Sequence, residues 1–371
     1  MKKRSGVVLS VLIVMFCFLA LGKTKVWASS VYDGNSLDVG IYWFGKDNVS
    51  QKFVAGTTNP YYDPAKPTII YIHGWQPNAY KSLFRESFNP YLNDSSCGSD
   101  VDLADYWVDK GWNIGIFYWN QLADEANVYD AESKIWSTAG AQGMRWRKAD
   151  GSYVTTGTPS KSVGNLFADA YASAMANFQG SEIRIAGHSL GSQVAVDGTK
   201  LIHDMVATGK LSSSLLPDRV ALLDPFWSIG SKSYLSNQWT GAVCRTYVNT
   251  LKAKGVVFEE YKSSNIMDVP VADSNEGMRS MVCFQDLWPE FINFTNQSGK
   301  HGYARTWYFY SMAFTSPAEV QSRAATGNVA ASASTSTARI AQMMNSSYKW
   351  IQNNGKNTET TMDDTFLKQL K

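Results

Sequence analysis

Ile183-Arg184-Ile185-Ala186-Gly187-His188-Ser189-Leu190-Gly191 is a short apolar run that ends in a serine set between two glycines. The residues that follow carry apolar side chains at 190, 194, 201, 202, 205 and 206, which is helical spacing. A G-x-S-x-G pattern alone also arises by chance. Between a strand and a helix it predicts a nucleophile elbow, a sharp strained turn that thrusts the serine Oγ out of the sheet edge. Ser189 is therefore the candidate nucleophile. The backbone N–H of Leu190, next in the chain, becomes a candidate oxyanion donor.

Outward from the elbow, further apolar runs read as buried strands at 68–72 (TIIYI), 114–118 (IGIFY) and 220–223 (VALL), with another candidate at 256–261 (VVFEEY). Helical spacing occupies 101–110, 163–178 and 190–208, and residues 39–44 and 52–55 suggest an antiparallel lead-in hairpin. Strands alternating with helices predict an α/β protein with a mostly parallel central sheet flanked by helices, in the manner of the α/β-hydrolase fold. The catalytic domain is expected over 29–318. Residues 324–338, dominated by Ala, Ser and Thr, read as a mobile segment or weak helix. An amphipathic stretch at 340–351 follows, then a frayed polar end at 353–371, so 319–371 is expected to be a C-terminal tail.

Lys2, Lys3 and Arg4 precede an apolar run at 7–21, and Val26-Trp27-Ala28 resembles a cleavage site. The run falls short of the about 20 residues a spanning helix needs, so 1–28 is expected to be a secretory signal peptide cut near Ala28. The product would be secreted, with no transmembrane segment. Its removal leaves 29 basic against 32 acidic side chains, and no basic patch argues for nucleic acid. Cys97, Cys244 and Cys283 remain, an odd set in which a Cys244–Cys283 bridge is the preferred pairing. The chain is rich in aromatics, with 13 Trp, 19 Tyr and 17 Phe, which suits a site that handles apolar ligands.

A serine hydroxyl needs a base, and the chain holds four histidines. His188 lies inside the elbow, His203 on the helix after it, and His73 at the end of an early strand. His301, in Gly299-Lys300-His301-Gly302, follows the serine as the hydrolase order Ser, acid, His requires, and is read as a loop residue before a helix at 304–313. The imidazole needs a carboxylate to hold its tautomer. Asp224 ends a buried strand and precedes Pro225, and Asp268, after the next strand, is its rival. The second oxyanion donor is expected from the backbone N–H of Trp75 in His73-Gly74-Trp75, with His73 bracing that loop.

Four segments together resemble the pancreatic-type lipase family: Tyr62-Asp63-Pro64-Ala65-Lys66-Pro67-Thr68-Ile69-Ile70-Tyr71-Ile72-His73-Gly74-Trp75, the elbow, Leu223-Asp224-Pro225 and the His301 segment. Ile116-Phe117-Tyr118-Trp119 adds to them, and order and spacing agree over roughly 40–315. The resemblance implies hydrolysis of acylglycerol or phospholipid esters at a lipid–water interface, with the acid at Asp224 rather than Asp268. It departs in three places. Residues 316–371 are too short and polar for the family's lipid-binding β-sandwich, and 226–233 lack its acidic cluster, so no calcium and no other cofactor is expected. The lid has no residue-by-residue match. Its candidates are 121–160 and 268–298, the second carrying Met278, Met281, Phe284, Leu287, Trp288, Phe291 and Phe294, an apolar density that reads equally as packed core or as a lid and lipid-contact surface. The alternatives are a soluble-substrate esterase or thioesterase, or an inactive hydrolase fold that serves as a binding protein.

Overall fold

Fourteen strands occur in chain order among the described residues: β1 (Gly40–Phe44), β2 (Ser50–Lys52), β3 (Thr68–Ile72), β4 (Asn113–Tyr118), β5 (Trp146–Arg147), β6 (Tyr153–Val154), β7 (Ile183–His188), β8 (Arg219–Leu223), β9 (Val257–Lys262), β10 (Cys283–Asp286), β11 (Ala318–Gln321), β12 (Ala324–Val329), β13 (Tyr348–Asn354) and β14 (Thr365–Leu370). The computed structural model describes residues 32–93, 99–268, 272–322 and 324–371. The expected leader at 1–28 and Cys97 lie outside them.

Twelve strands form one sheet in the order β12-β11-β14-β13-β10-β9-β8-β7-β3-β4-β1-β2, and β5 and β6 pair separately. From β4 through β3, β7, β8, β9 and β10 to β13 every pairing is parallel. The apolar runs read from the sequence are these strands, and every residue of β3, β4, β7 and β8 is buried. Parallel strands are sheathed on both faces, so they read as continuous apolar runs rather than alternations. Helices Val128–Trp136, Val163–Ala174, Gly191–Ala207 and Thr240–Lys252 pack as one layer. Helices Leu103–Asp109 and Gln297–Tyr310 pack together as another, and Thr337–Met344 contacts β9 and β10. Among the described residues no helix is long and apolar enough to cross a membrane.

The expected tail is instead part of the sheet. β13 joins β10, β14 pairs with β13 and β11, and Ile340, Trp350 and Phe366 are buried. The Ala/Ser stretch is held rather than mobile, with Ala330, Ala331, Ser332 and Ala333 buried. Small side chains let this backbone come close enough for its carbonyls to satisfy buried groups on the strands. Arg184 Nη1 donates to Ala333 O (2.6 Å), Arg219 Nη1 and Nη2 to Thr335 O and Ser332 O (2.7 and 2.8 Å), and Gln285 Nε2 to Ala331 O (2.8 Å). Arg219 also forms a forked pair with buried Glu259, both bonds 2.7 Å. Replacing Arg219 with Ala leaves that carboxylate buried without its cation, though Tyr261 Oη still donates to it (2.6 Å), at an expected cost of about 3–5 kcal/mol in urea unfolding. A loss below about 1 kcal/mol would contradict this view of the clamp.

Two further features depart from expectation or carry a pH signature. Cys244 and Cys283 are free thiols, not a bridge, each buried on its own element, the helix Thr240–Lys252 and the start of β10. Asp197, on the helix after the elbow, is buried against Gly164, where an added Cβ would meet Asp197 Oδ2 at 1.9 Å. Burial pushes its carboxyl up to about 7; Lys200 opposes this, and Asp204 adds to it. A folded-state value above the unfolded one means the neutral acid is favoured, so stability is lost as pH rises from about 4 to about 7. Asp197→Asn is expected to raise Tm above pH 7, with the gain vanishing near pH 4. Parallel Tm-against-pH curves for the two proteins would rule this out.

Candidate active site

β7 runs straight into Ser189, the candidate nucleophile. Its last residues, Gly187 and His188, still pair with Leu222 and Leu223 of β8, and Ser189 then turns to φ 56°. That left-handed conformation is strained for a side-chain-bearing residue and survives only where surroundings over-determine it. Here Ser189 N donates to Leu223 O (3.1 Å), Phe226 N to Ser189 O (3.2 Å), and Ser192 Oγ to Gly187 O (2.7 Å). The helix Gly191–Ala207 starts so close to β3 that a Cβ on Gly191 would lie 2.1 Å from Ile72 O. A glycine is required there.

Asp224 follows β8, again at positive φ (42°), and is fully buried. Its N–H donates to Tyr261 O (2.7 Å), and its Oδ1 accepts from the amides of Ser263 (3.0 Å) and Ser264 (3.4 Å). Oδ2 accepts from Ser264 Oγ and from His301 Nδ1, the latter at 2.6 Å. Burial alone would push this carboxyl up. The bonds from His301, Ser264 and Ser263 outweigh it and hold the group below the ordinary carboxylate range. An ionised Asp224 can only accept, so the His301 proton sits on Nδ1 and Nε2 is left bare to take another.

His301 is not a loop residue but lies in the second turn of the helix Gln297–Tyr310, whose N-terminus the Asn296 side chain caps through Gly299 N (2.9 Å). Asp268 is not brought to it. That carboxylate sits at the end of the turn Ile266–Asp268, is 41% exposed and pairs with Lys262 Nζ (3.1 Å). His203 faces its neighbour Asp204 instead, 3.0 Å from Nδ1. Ser189 Oγ, half-buried, forms no hydrogen bond among the described residues, so the relay reaches His301 and stops short of the serine. Catalytic hydrogen bonds commonly tighten only with substrate bound.

The loop after β3 passes directly over Ser189. A Cβ on Gly74 would lie 2.7 Å from Ser189 Cβ and 3.2 Å from its Oγ. The amides of Trp75 and Leu190, the candidate oxyanion donors, donate no hydrogen bond among the described residues. The loop is held from several sides. His73 Nδ1 donates to Gly74 O (2.9 Å), its Nε2 accepts from Trp119 N (3.0 Å), and burial lowers its pKa to about 4, so it braces as a neutral ring. Trp75 Nε1 donates to Glu125 O (2.7 Å), and Asp124 accepts from the amides of Asn78 (2.7 Å) and Tyr80 (2.9 Å). Asp124, Glu125, Ser263 and Ser264 were not singled out from the sequence, which carries no local signal for such long-range contacts.

Of the two readings of 268–298, core holds for much of the described part, 269–271 lying outside it. Phe284 belongs to β10, and Met278 and Leu287 are buried, because β10 lies between β9 and β13. What remains on the surface is Trp288 (48% exposed) and Phe294 (77% exposed), beside a cleft of about 220 Å³ that Ser263, Ser264 and Lys300 also line. They follow the C-terminal end of β10, the sheet edge at which Ser189 follows β7. In comparisons with known proteins, the chain matches no family model and no curated protein sequence.

Proposed function

We propose that this chain is a secreted serine ester hydrolase of the α/β-hydrolase fold, a lipase or phospholipase A1-like enzyme of the pancreatic type that its motifs resemble. One observation carries the reading. A serine on a strained strand-to-helix turn shares a sheet edge with a buried aspartate that bonds His301 Nδ1 at 2.6 Å.

In the reaction, Ser189 Oγ attacks the ester carbonyl carbon and its proton passes to His301 Nε2. The carbonyl oxygen becomes an oxyanion on the amides of Trp75 and Leu190, while Asp224 stabilises the imidazolium. Collapse breaks the C–O bond, and His301 returns the proton to the departing alcohol. Water then enters by the same route, releasing the acid from the acyl-serine. Each step uses side chains and main-chain amides of the chain together with water.

The exposed Trp288 and Phe294 favour an apolar, aggregated substrate over a soluble one, since large exposed apolar side chains mark contact surfaces. The test is a panel of p-nitrophenyl esters, emulsified triglycerides and phospholipid vesicles, assayed with wild type and Ser189→Ala. Serine-dependent hydrolysis with emulsions or vesicles preferred supports the lipase reading. Hydrolysis confined to soluble short esters supports the esterase, and none on any ester rejects the proposal.

A further inference from the structure

His188 stands immediately before the nucleophile and faces the base. Its Nε2 lies 3.0 Å from the carbonyl oxygen of His301, and the two rings are 4.5 Å apart between centroids, tilted by 43°. A carbonyl can only accept, so the bond requires a proton on Nε2. Burial above all, then the adjacent His301 ring, lowers the His188 pKa to about 3, so the ring is neutral and its Nδ1 carries a bare lone pair. That Nδ1 is buried and has no hydrogen-bond partner among the described residues. Burying an unpaired acceptor costs free energy that an apolar side chain of similar size would avoid. The ring's gain therefore lies on its Nε2 side.

The bond closes a short path. Ser189 is covalently next to His188, and His188 is bonded to the main chain of His301, a residue 113 positions away in sequence. A helix carbonyl has a second lone pair beyond the one its own helix uses, so the contact costs the helix Gln297–Tyr310 nothing. Asp224 holds the ring of the base from the other side. One turn on, Arg305 Nη1 is paired with buried Glu86 at 2.7 Å, which anchors the same helix further from the chemistry.

We propose that His188 is a positioning residue for the base: its Nε2–H, donated to the His301 carbonyl, sets the distance between nucleophile and imidazole, while Asp224 sets the ring's tautomer and orientation. This rests on the serine-hydrolase reading of the site. A base displaced by as little as about 1 Å loses on the order of 100-fold in rate, so a single bond at this place has a large lever.

Gln and Asn separate this role from mere bulk or polarity. The amide nitrogen of Gln reaches about the position of Nε2, whereas that of Asn is one methylene short and cannot reach the carbonyl. With p-nitrophenyl butyrate, His188→Asn is expected to lower kcat by about 10–100-fold with KM within about twofold, because substrate binding is untouched. His188→Gln is expected to keep kcat within about threefold of wild type. Equal kcat in the two variants, or a loss confined to KM, overturns the proposal. If the Asn variant loses its near-UV circular dichroism, the Gln variant decides: a folded Gln protein about tenfold or more below wild type also overturns it. Wild type inert toward every ester would instead overturn the hydrolase reading itself.

Discussion

Ser189→Ala is expected to lower kcat on any ester substrate by about 10⁴-fold or more while the protein keeps its fold and melting temperature. The loss is this large because nucleophile, base and acid act as a unit, and what survives is the contribution of binding and the oxyanion donors alone. Folding is spared because Ser189 Oγ holds nothing in place. The turn is kept by the backbone bonds to Leu223 and Phe226 and by the Ser192 hydroxyl. Removing the Oγ also leaves a residue at φ 56°, so Ala keeps the strain without the chemistry. A variant that retains a tenth of wild-type activity would mean that another group attacks the substrate.

Asp224→Asn is expected to cost on the order of 10⁴-fold in kcat, by a different route. The carboxylate accepts from His301 Nδ1, Ser264 Oγ and two amides, so its oxygens are committed acceptors. An amide that sets its NH₂ where Oδ2 stood donates to His301 Nδ1, which must then be bare, and so holds His301 in the wrong tautomer with its proton on Nε2. The base is then occupied. Asp268→Asn is expected to change kcat by less than about threefold, since that group is an exposed partner of Lys262. The opposite ordering in steady-state kinetics would place the acid after β9 rather than β8.

How much of this was legible depends on where each contact runs. The parallel core was readable because β3, β4, β7 and β8 are apolar on both faces, so composition alone marks them. The C-terminal strands were not, because edge strands such as β12 (AATGNV) are exposed and carry little apolar pattern. The Ala/Ser segment also owes its order to Arg184, Arg219 and Gln285, which lie far away in sequence. His301 was read as a loop residue because of Gly299 and Gly302, each of which disfavours a helix by about 1 kcal/mol. Burial of Tyr303, Ala304, Trp307 and Tyr308 on the same helix overrides that preference. Phe284 and Leu287 read equally as core or lid because a short buried strand and an apolar flap have the same composition, and only the pairing of β10 separates them. The candidate site was legible only as an order of residue types, Ser189, Asp224 and His301. The bond from His188 to the His301 carbonyl was not, since it needs the fold before the two residues meet.

The most direct test of the central claim is stoichiometric inactivation by a p-nitrophenyl alkylphosphonate. A serine poised on an elbow, with His301 to take its proton, attacks phosphorus, releases p-nitrophenol and keeps the phosphonyl group, which mimics the acylation transition state. The account predicts one equivalent of p-nitrophenol per chain, complete loss of esterase activity, and a mass adduct on the peptide that contains Ser189. Ser189→Ala should release none, and Asp224→Asn should react far more slowly than wild type. An adduct on another residue, or full ester hydrolysis by enzyme that is never labelled, would contradict it.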